Sequence, residues 1–228
     1  MAREIAGVAR REVDVAAGTT AGALFDDHAR RDARFADLRG SLLLAVNADF
    51  SERDRVLVDG DEVAFLPPVS GGAGPAGEVV DSAGHYFALT REAIDAAALG
   101  RRLLRGCCGA LATFEGVVRD NSQGRATRFL EYEAYESMAL KVMARLGAEI
   151  AARHEIDRIA MVHRLGRLEI GETSVVIVVT APHRRAAFAA CQEGIDRLKK
   201  TVPVWKREHF AAGAVWVEGD WDESLLGR

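Results

Sequence analysis

Lysine is nearly missing from this chain. Only Lys141, Lys199, Lys200 and Lys206 stand among its 30 basic residues, and the rest are arginine. There is no long basic run and the formal net charge is −4, which argues against nucleic acid as a partner. No stretch approaches the roughly 18 apolar residues that a membrane-spanning helix needs. The first residues show none of the apolar core of a signal peptide. Cysteine is limited to Cys107, Cys108 and Cys191. An odd count with one adjacent pair suits reduced, buried thiols in the cytoplasm rather than a disulfide framework. Without CxxC or HxxxH spacing, no metal site is expected. Hydrophobic residues make up 49% and charged residues 28%, so a packed core is affordable and disorder is disfavoured. The 228 residues accommodate one large domain or two small ones.

Residues 1–72 read as a compact α/β unit. Arg11–Val15 alternates like a strand. Thr19 and Thr20 can cap a helix running through Leu24 and Phe25. Leu42–Val46 is a short buried strand, Asp59-Gly60-Asp61 a tight turn, and Glu62–Leu66 a last strand. Pro67-Pro68 ends the pairing. This segment holds 9 Lys/Arg against 13 Asp/Glu and so carries the whole net charge. An acidic small domain of this kind can dock on a basic face of a neighbour.

Residues 73–84 read as a glycine-rich linker. Gly72, Gly74 and Gly77 match GxGxxG, but a dinucleotide site is excluded. A prolyl pair separates the glycines from the strand, and no helix pattern follows. A second unit, 85–228, alternates strands and helices. Its strands are expected at 85–90, 109–118, 129–135, 159–165, 174–180, 204–210 and 214–218. Its helices are expected at 92–104, 136–154 and 182–202, the first with Ile94, Ala97, Ala98 and Leu104 on its inner face. Asp120–Ala126 is expected as a mobile polar loop.

Three places in this unit can carry chemistry. Ala181-Pro182-His183-Arg184 runs from a strand into a helix start, where free N–H groups, the helix dipole and a guanidinium favour an anion. An ordinary solvated helix start explains the same pattern about as well. In Lys199-Lys-Thr-Val-Pro-Val-Trp-Lys206, the Pro203 break can bring Lys199 and Lys206 to one side of a cleft. Neighbouring ammonium groups tune each other, and a tuned lysine transfers protons or attacks carbonyls as arginine cannot. Cations at a helix C-terminus are the commoner explanation. The scarcity of lysine elsewhere tips the balance toward chemistry. Lys200, adjacent in the helix, is expected to be the solvated one. Arg119, at the end of Thr113–Arg119, stands at the mouth of the polar loop, where ligand contacts gather. His163-Arg164 reads as structural, and Trp205, Trp216 and Trp221 as core or interface.

These segments together resemble molybdopterin synthase over nearly the whole chain. Glu62–Gly72 is similar to the tail of its ubiquitin-like sulfur-carrier subunit. Thr113–Asn121, Val162–Gly166, Ala181–Arg184 and Leu198–Glu208 are similar to its catalytic subunit. The resemblance implies an α+β fold: an N-terminal β-grasp domain without its first strand, then an α/β catalytic domain that forms a homodimer. It implies that a separate adenylating enzyme converts the carrier's terminal glycine, within Gly71-Gly72, to a thiocarboxylate. The sulfur then passes to cyclic pyranopterin monophosphate, and two transfers make the dithiolene of molybdopterin. Lys199 and Lys206 take the catalytic positions. Arg119, His183 and Arg184 take the anion-binding positions, with Arg119 and His183-Arg184 from opposite subunits. Val117, Val118, Arg207 and Glu208 flank them as pocket lining. No cofactor is held permanently, and neither metal nor membrane is involved.

Two departures stand out. Gly72 is followed by Ala73, so a protease must cut after Gly72 before a thiocarboxylate can form. The family's opening strand leads into a segment like Ala2–Gly7, with which this chain starts, as if Met1 were internal to a longer protein. The rival expectation is an uncut fusion that works as a non-catalytic carrier or scaffold. A weaker one is a generic phosphoester-binding enzyme.

Overall fold

The computed structural model describes residues 11–31, 43–47, 49–66, 77–122, 124–210 and 213–217. The chain forms two compact units, one within Met1–Gly71 and the other within Gly72–Trp221.

In the first unit, helix α1 (Ala21–Arg31) starts where the Thr20 hydroxyl accepts a hydrogen bond from the Ala23 amide at 3.1 Å, satisfying one free donor of the helix end. Its apolar stripe buries Ala21, Phe25 and Ala29 against Leu44 and Val46, with Leu57, Val63 and Phe65 packed alongside. Those strand residues belong to an antiparallel sheet of β1 (Leu43–Val46), β2 (Asp49–Phe50) and β3 (Val63–Leu66), in the order β2-β1-β3. Asn47 leaves β1 with φ 55°, a left-handed turn that asparagine tolerates. Its side chain braces the turn through Asp61 at 2.7 Å and the Glu62 amide at 2.9 Å. Arg11–Val15, expected as a strand, is exposed and unpaired in any ladder; alternation alone cannot supply a partner edge. The expected missing opening strand lies outside the described residues.

The second unit is built on a five-stranded sheet, β4-β5-β9-β11-β6. Its strands are β4 (Glu78–Val80), β5 (Tyr86–Thr90), β6 (Ala110–Val117), β9 (Arg158–Arg164) and β11 (Thr173–Ala181). β5 and β9 run parallel and the other neighbours antiparallel. β11 is central, and Ser174–Ala181 is buried throughout, as expected for a strand covered on both faces. Helices α3 (Glu136–Arg153) and α4 (Arg184–Thr201) cover one face. There the Phe87 ring sits so close to Gly147 that any Cβ would lie 2.3 Å from it. Helix α2 (Ala96–Leu103) covers the other face, with Leu103 on Ala160, Val176 and Val178.

A second sheet orders β10 (Gly166–Glu169), β8 (Arg125–Ala134), β12 (Val204–Phe210) and β13 (Gly213–Val217), with β7 (Asn121–Ser122) paired to β8.

Three expectations need correcting. The stretch 73–84 contains β4, which pairs with β5, so its second half is sheet rather than linker. Asp120–Ala126 is the tip of a hairpin, with Asn121 opposite Ala126. On α2 the buried residues are Gly100 and Leu103, with Ile94, Ala96 and Leu99 packed alongside, whereas Ala97 and Leu104 face solvent: Ala97 lies off that stripe, and Leu104 is the extended C-cap beyond the helix.

Candidate functional site

The ladder between β12 and β8 sets Lys206 opposite Tyr132 and Glu208 opposite Leu130. Side chains facing each other across a ladder share one face of the sheet, so all four point the same way. β10 continues that face, with Leu168 opposite Leu130. Leu130, Leu168 and Val118 form a small buried cluster with Tyr132 packed against it. The Tyr132 ring meets His163 edge-on, centroids 5.0 Å apart.

His163 is 5% exposed. Its Nδ1 lies 2.9 Å from the Arg164 carbonyl, so the neutral ring donates from Nδ1 and keeps Nε2 as an acceptor. Burial, joined by the positive charge of Lys199, lowers its pKa to about 4 against the opposing pull of that carbonyl. The ring is therefore neutral at physiological pH, and the Lys199 charge bears on it. Burial likewise raises the Tyr132 phenol, whose hydroxyl hydrogen-bonds Ser174. Ser174 gives its own proton to the Gly116 carbonyl at 3.0 Å, so Tyr132 is the donor of the pair.

Glu208 is 3% exposed, and Lys206 Nζ lies 2.6 Å from its Oε1. Burial pushes its carboxyl up, but hydrogen bonds from Lys206 and Ser122 and the charges of Lys206 and Arg119 outweigh it, leaving a net lowering. A buried, ionised carboxylate thus holds Lys206 in place, with Arg119 close enough to act on it. One end of the main sheet gathers Lys199, His163, Tyr132, Ser174, Lys206, Glu208, Ser122 and Arg119.

His183 and Arg184 are not there. The register sets Val175 opposite both Gly116 and His163, whereas Ala181 pairs with Ala110 at the other end. From Ser174 to Ala181 the strand spans about 23 Å. From Arg184 to Lys199 the helix spans about 22 Å. His183 is the N-cap of α4, extended at φ −132° and ψ 145° with no side-chain cap bond, and both residues are exposed. One chain therefore divides the expected cations between two ends.

Other expected positions separate as well. Val117 is 49% exposed and Val118 only 3%; adjacent strand residues face opposite ways, so Val118 is core rather than lining. Arg207 projects from the face of β12 opposite to Lys206 and Glu208, for the same reason. Lys199 is exposed and Lys200 half-buried, the reverse of the expectation. Gly71 and Gly72 lie outside the described residues. His163, read as structural, is instead in contact with the site. Tyr132, Ser122 and Ser174 carry no sequence signal of their own, because only strand register brings them in.

A mixed sheet flanked by helices, with Lys206 held on a buried carboxylate and the Arg119 charge acting on it at one end, defines an α+β domain. Residues 89–201 match the MoaE protein family and residues 1–72 the ThiS family. The chain is 42% identical over 131 residues to the molybdopterin synthase catalytic subunit of Bacillus subtilis, covering 58% of this chain and 83% of that protein. It is 48% identical over 109 residues to the subunit of the same name from Halalkalibacterium halodurans, covering 48% and 70%. A crystal structure of molybdopterin synthase from Staphylococcus aureus superposes with a TM-score of 0.55 at 36% identity, over 57% of this chain and 95% of that one. The chain belongs to the molybdopterin synthase catalytic subunit family. It fuses that domain to a ThiS-type, ubiquitin-like domain, and it is an enzyme of molybdenum cofactor biosynthesis. Among the described residues, no helix is long and apolar enough to cross a membrane.

Proposed function

We propose that the protein is a cytoplasmic molybdopterin synthase that carries its own sulfur donor. A protease cuts after Gly72, and a separate activating enzyme adenylates the new carboxylate and exchanges one oxygen for sulfur. The thiocarboxylate sulfur attacks an oxygen-bearing carbon of cyclic pyranopterin monophosphate; the C–O bond there breaks, and its oxygen leaves protonated, as water or with the phosphate, which then becomes a monoester. Water then cleaves the bond between that sulfur and the Gly72 carbonyl carbon, so the sulfur stays on the pterin and Gly72 returns to a carboxylate. Two rounds build the dithiolene.

The observation that carries this reading is the buried Glu208 carboxylate with Lys206 bonded to it and the Arg119 charge acting on it, next to His163, on which Lys199 acts. Arg119 offers a bidentate grip on the substrate phosphate. Glu208 orients Lys206, so that its ammonium is ready where negative charge develops on the attacked group. Lys199, beside a neutral imidazole, is the second proton-transfer group. His183 and Arg184 reach the same phosphate from a second copy, since one chain separates them from Lys199 by about 22 Å along α4. A closed two-fold dimer supplies both halves twice. The chain holds no permanent cofactor.

Intact mass spectrometry of protein from a producing cell tests this. The expected result is a fragment ending at Gly72, part of it with an oxygen-to-sulfur mass shift. An uncut chain that is fully active would overturn it. Lys199→Arg is expected to lose activity; retention would reduce the site to a phosphate clamp.

A further inference from the structure

Cys107 and Cys108 sit on the turn between α2 and β6, closed by a hydrogen bond from the Cys108 amide to the Arg105 carbonyl at 3.0 Å. Of the three thiols expected to be buried, only Cys191 is; Cys107 is exposed and Cys108 half-buried, because the turn between α2 and β6 carries them to the surface. About fifty residues later, Asp157 stands at the start of β9, its amide fixed to the Thr180 carbonyl at 2.7 Å. Its side chain is 7% exposed. The Cys107 sulfur, the Cys108 sulfur and an Asp157 carboxylate oxygen all lie within 4.8 Å of one another.

We propose that Cys107, Cys108 and Asp157 bind one zinc ion or a similar thiophilic divalent cation, with water in the fourth position. Two thiolates on a tetrahedral ion with bonds near 2.3 Å stand about 3.8 Å apart. The Cys107 and Cys108 sulfurs are 3.8 Å apart. A thiolate and a carboxylate oxygen on the same ion stand about 3.6 Å apart. The Cys108 sulfur and Asp157 Oδ2 are 3.3 Å apart. The exposed Cys107 side chain supplies the small remaining adjustment.

Charge and outer contacts fit as well. Arg105 donates from Nε to Oδ2 of Asp157 at 2.9 Å and from Nη2 to Oδ1. An ion on Oδ2 leaves the Oδ1 contact intact, and a ligand held from behind in this way is oriented by its outer partner. Two thiolates, one carboxylate, a divalent ion and the Arg105 cation sum to zero. On binding, each sulfur gives up its proton to solvent as its bond to the metal forms, with no change of oxidation state. The ion ties the turn before β6 to the start of β9. Gly109, next to the thiols, bonds the Ala181 carbonyl at 3.1 Å, so the site belongs to the same end of the sheet as His183 and Arg184. It is independent of the lysine end.

The test is titration of the reduced full-length chain with cadmium ion, followed by thiolate-to-metal charge-transfer absorption, then displacement by zinc. Saturation at one equivalent is expected. Because two protons leave, affinity should rise about 100-fold per pH unit below the thiol range. Cys107→Ser and Cys108→Ser should each weaken binding about 100-fold or more, and Asp157→Asn about tenfold. Cys191→Ala should change nothing, since that thiol is buried and raised to about 11. An unchanged band in the Cys107→Ser, Cys108→Ser double variant would overturn the proposal. Unchanged affinity in Asp157→Asn would overturn the three-donor site and leave an exposed dithiol. The serine variants lie on a surface turn, so they decide the matter even if Asp157→Asn folds poorly.

Discussion

The two ends of the main sheet in the second unit use polar residues in opposite ways. At the lysine end, His163 and Glu208 are buried, Tyr132 is half-buried, and each has a partner. At the other end, His183, Arg184 and Cys107 stand in solvent. Buried and mutually satisfied groups are preorganised, because their geometry is fixed before a ligand arrives. Exposed cations at a helix start are incomplete until another surface or a ligand covers them. In the proposed mechanism the lysine end is therefore the preorganised half, and the helix-start end the half that a second copy completes.

The largest effect should follow from Lys199→Ala. Product formation from a supplied carrier thiocarboxylate should fall about 10²–10⁴-fold, whereas a purely surface lysine would leave it unchanged. Next, Lys199→Ala and Arg184→Ala chains should each be nearly inactive alone. Mixed and allowed to exchange subunits, they should recover about a quarter of wild-type activity, because half the dimers are mixed and each has one intact site. No recovery would place both halves in one chain and break the comparison.

Stability should report the burial of the lysine end. His163 has a folded pKa of about 4 against an ordinary 6.5 in the unfolded chain. As pH falls the unfolded state takes the proton first, so stability present above pH 6.5 is lost down to about pH 4. The loss is on the order of 3 kcal/mol. Denaturant titrations across that range should show the slope, and His163→Gln should flatten it. The smallest effect separates neighbours. Val118→Ala should cost about 2 kcal/mol, and the exposed Val117→Ala within about 0.5 kcal/mol, by thermal unfolding.

Much of this was legible before any coordinates. The apolar runs of β9 and β11 and the long stripe of α3 announce themselves because period 3.6 and period 2 are local properties. The clustering of Lys199, Lys200 and Lys206 in a lysine-poor chain drew attention to the end of α4 where His163 and Glu208 are buried. The errors came where a residue's meaning depends on a distant neighbour. Arg11–Val15 alternates like a strand but joins no ladder among the described residues. Val117 and Val118 look alike until the sheet assigns one to solvent and the other to Leu130 and Leu168.

By itself, then, the sequence determined the two-unit organisation, the element types and the residue kinds available for chemistry, since propensity, patterning and motif spacing are written along the chain. Tertiary structure alone decided which of those residues meet. Strand register joins Tyr132 to Lys206, and the fold brings Asp157 to Cys107 and Cys108. The antiparallel run of β11 and α4 holds His183 and Arg184 far from Lys199, because a rigid strand and a rigid helix each carry the chain from one end of the sheet to the other.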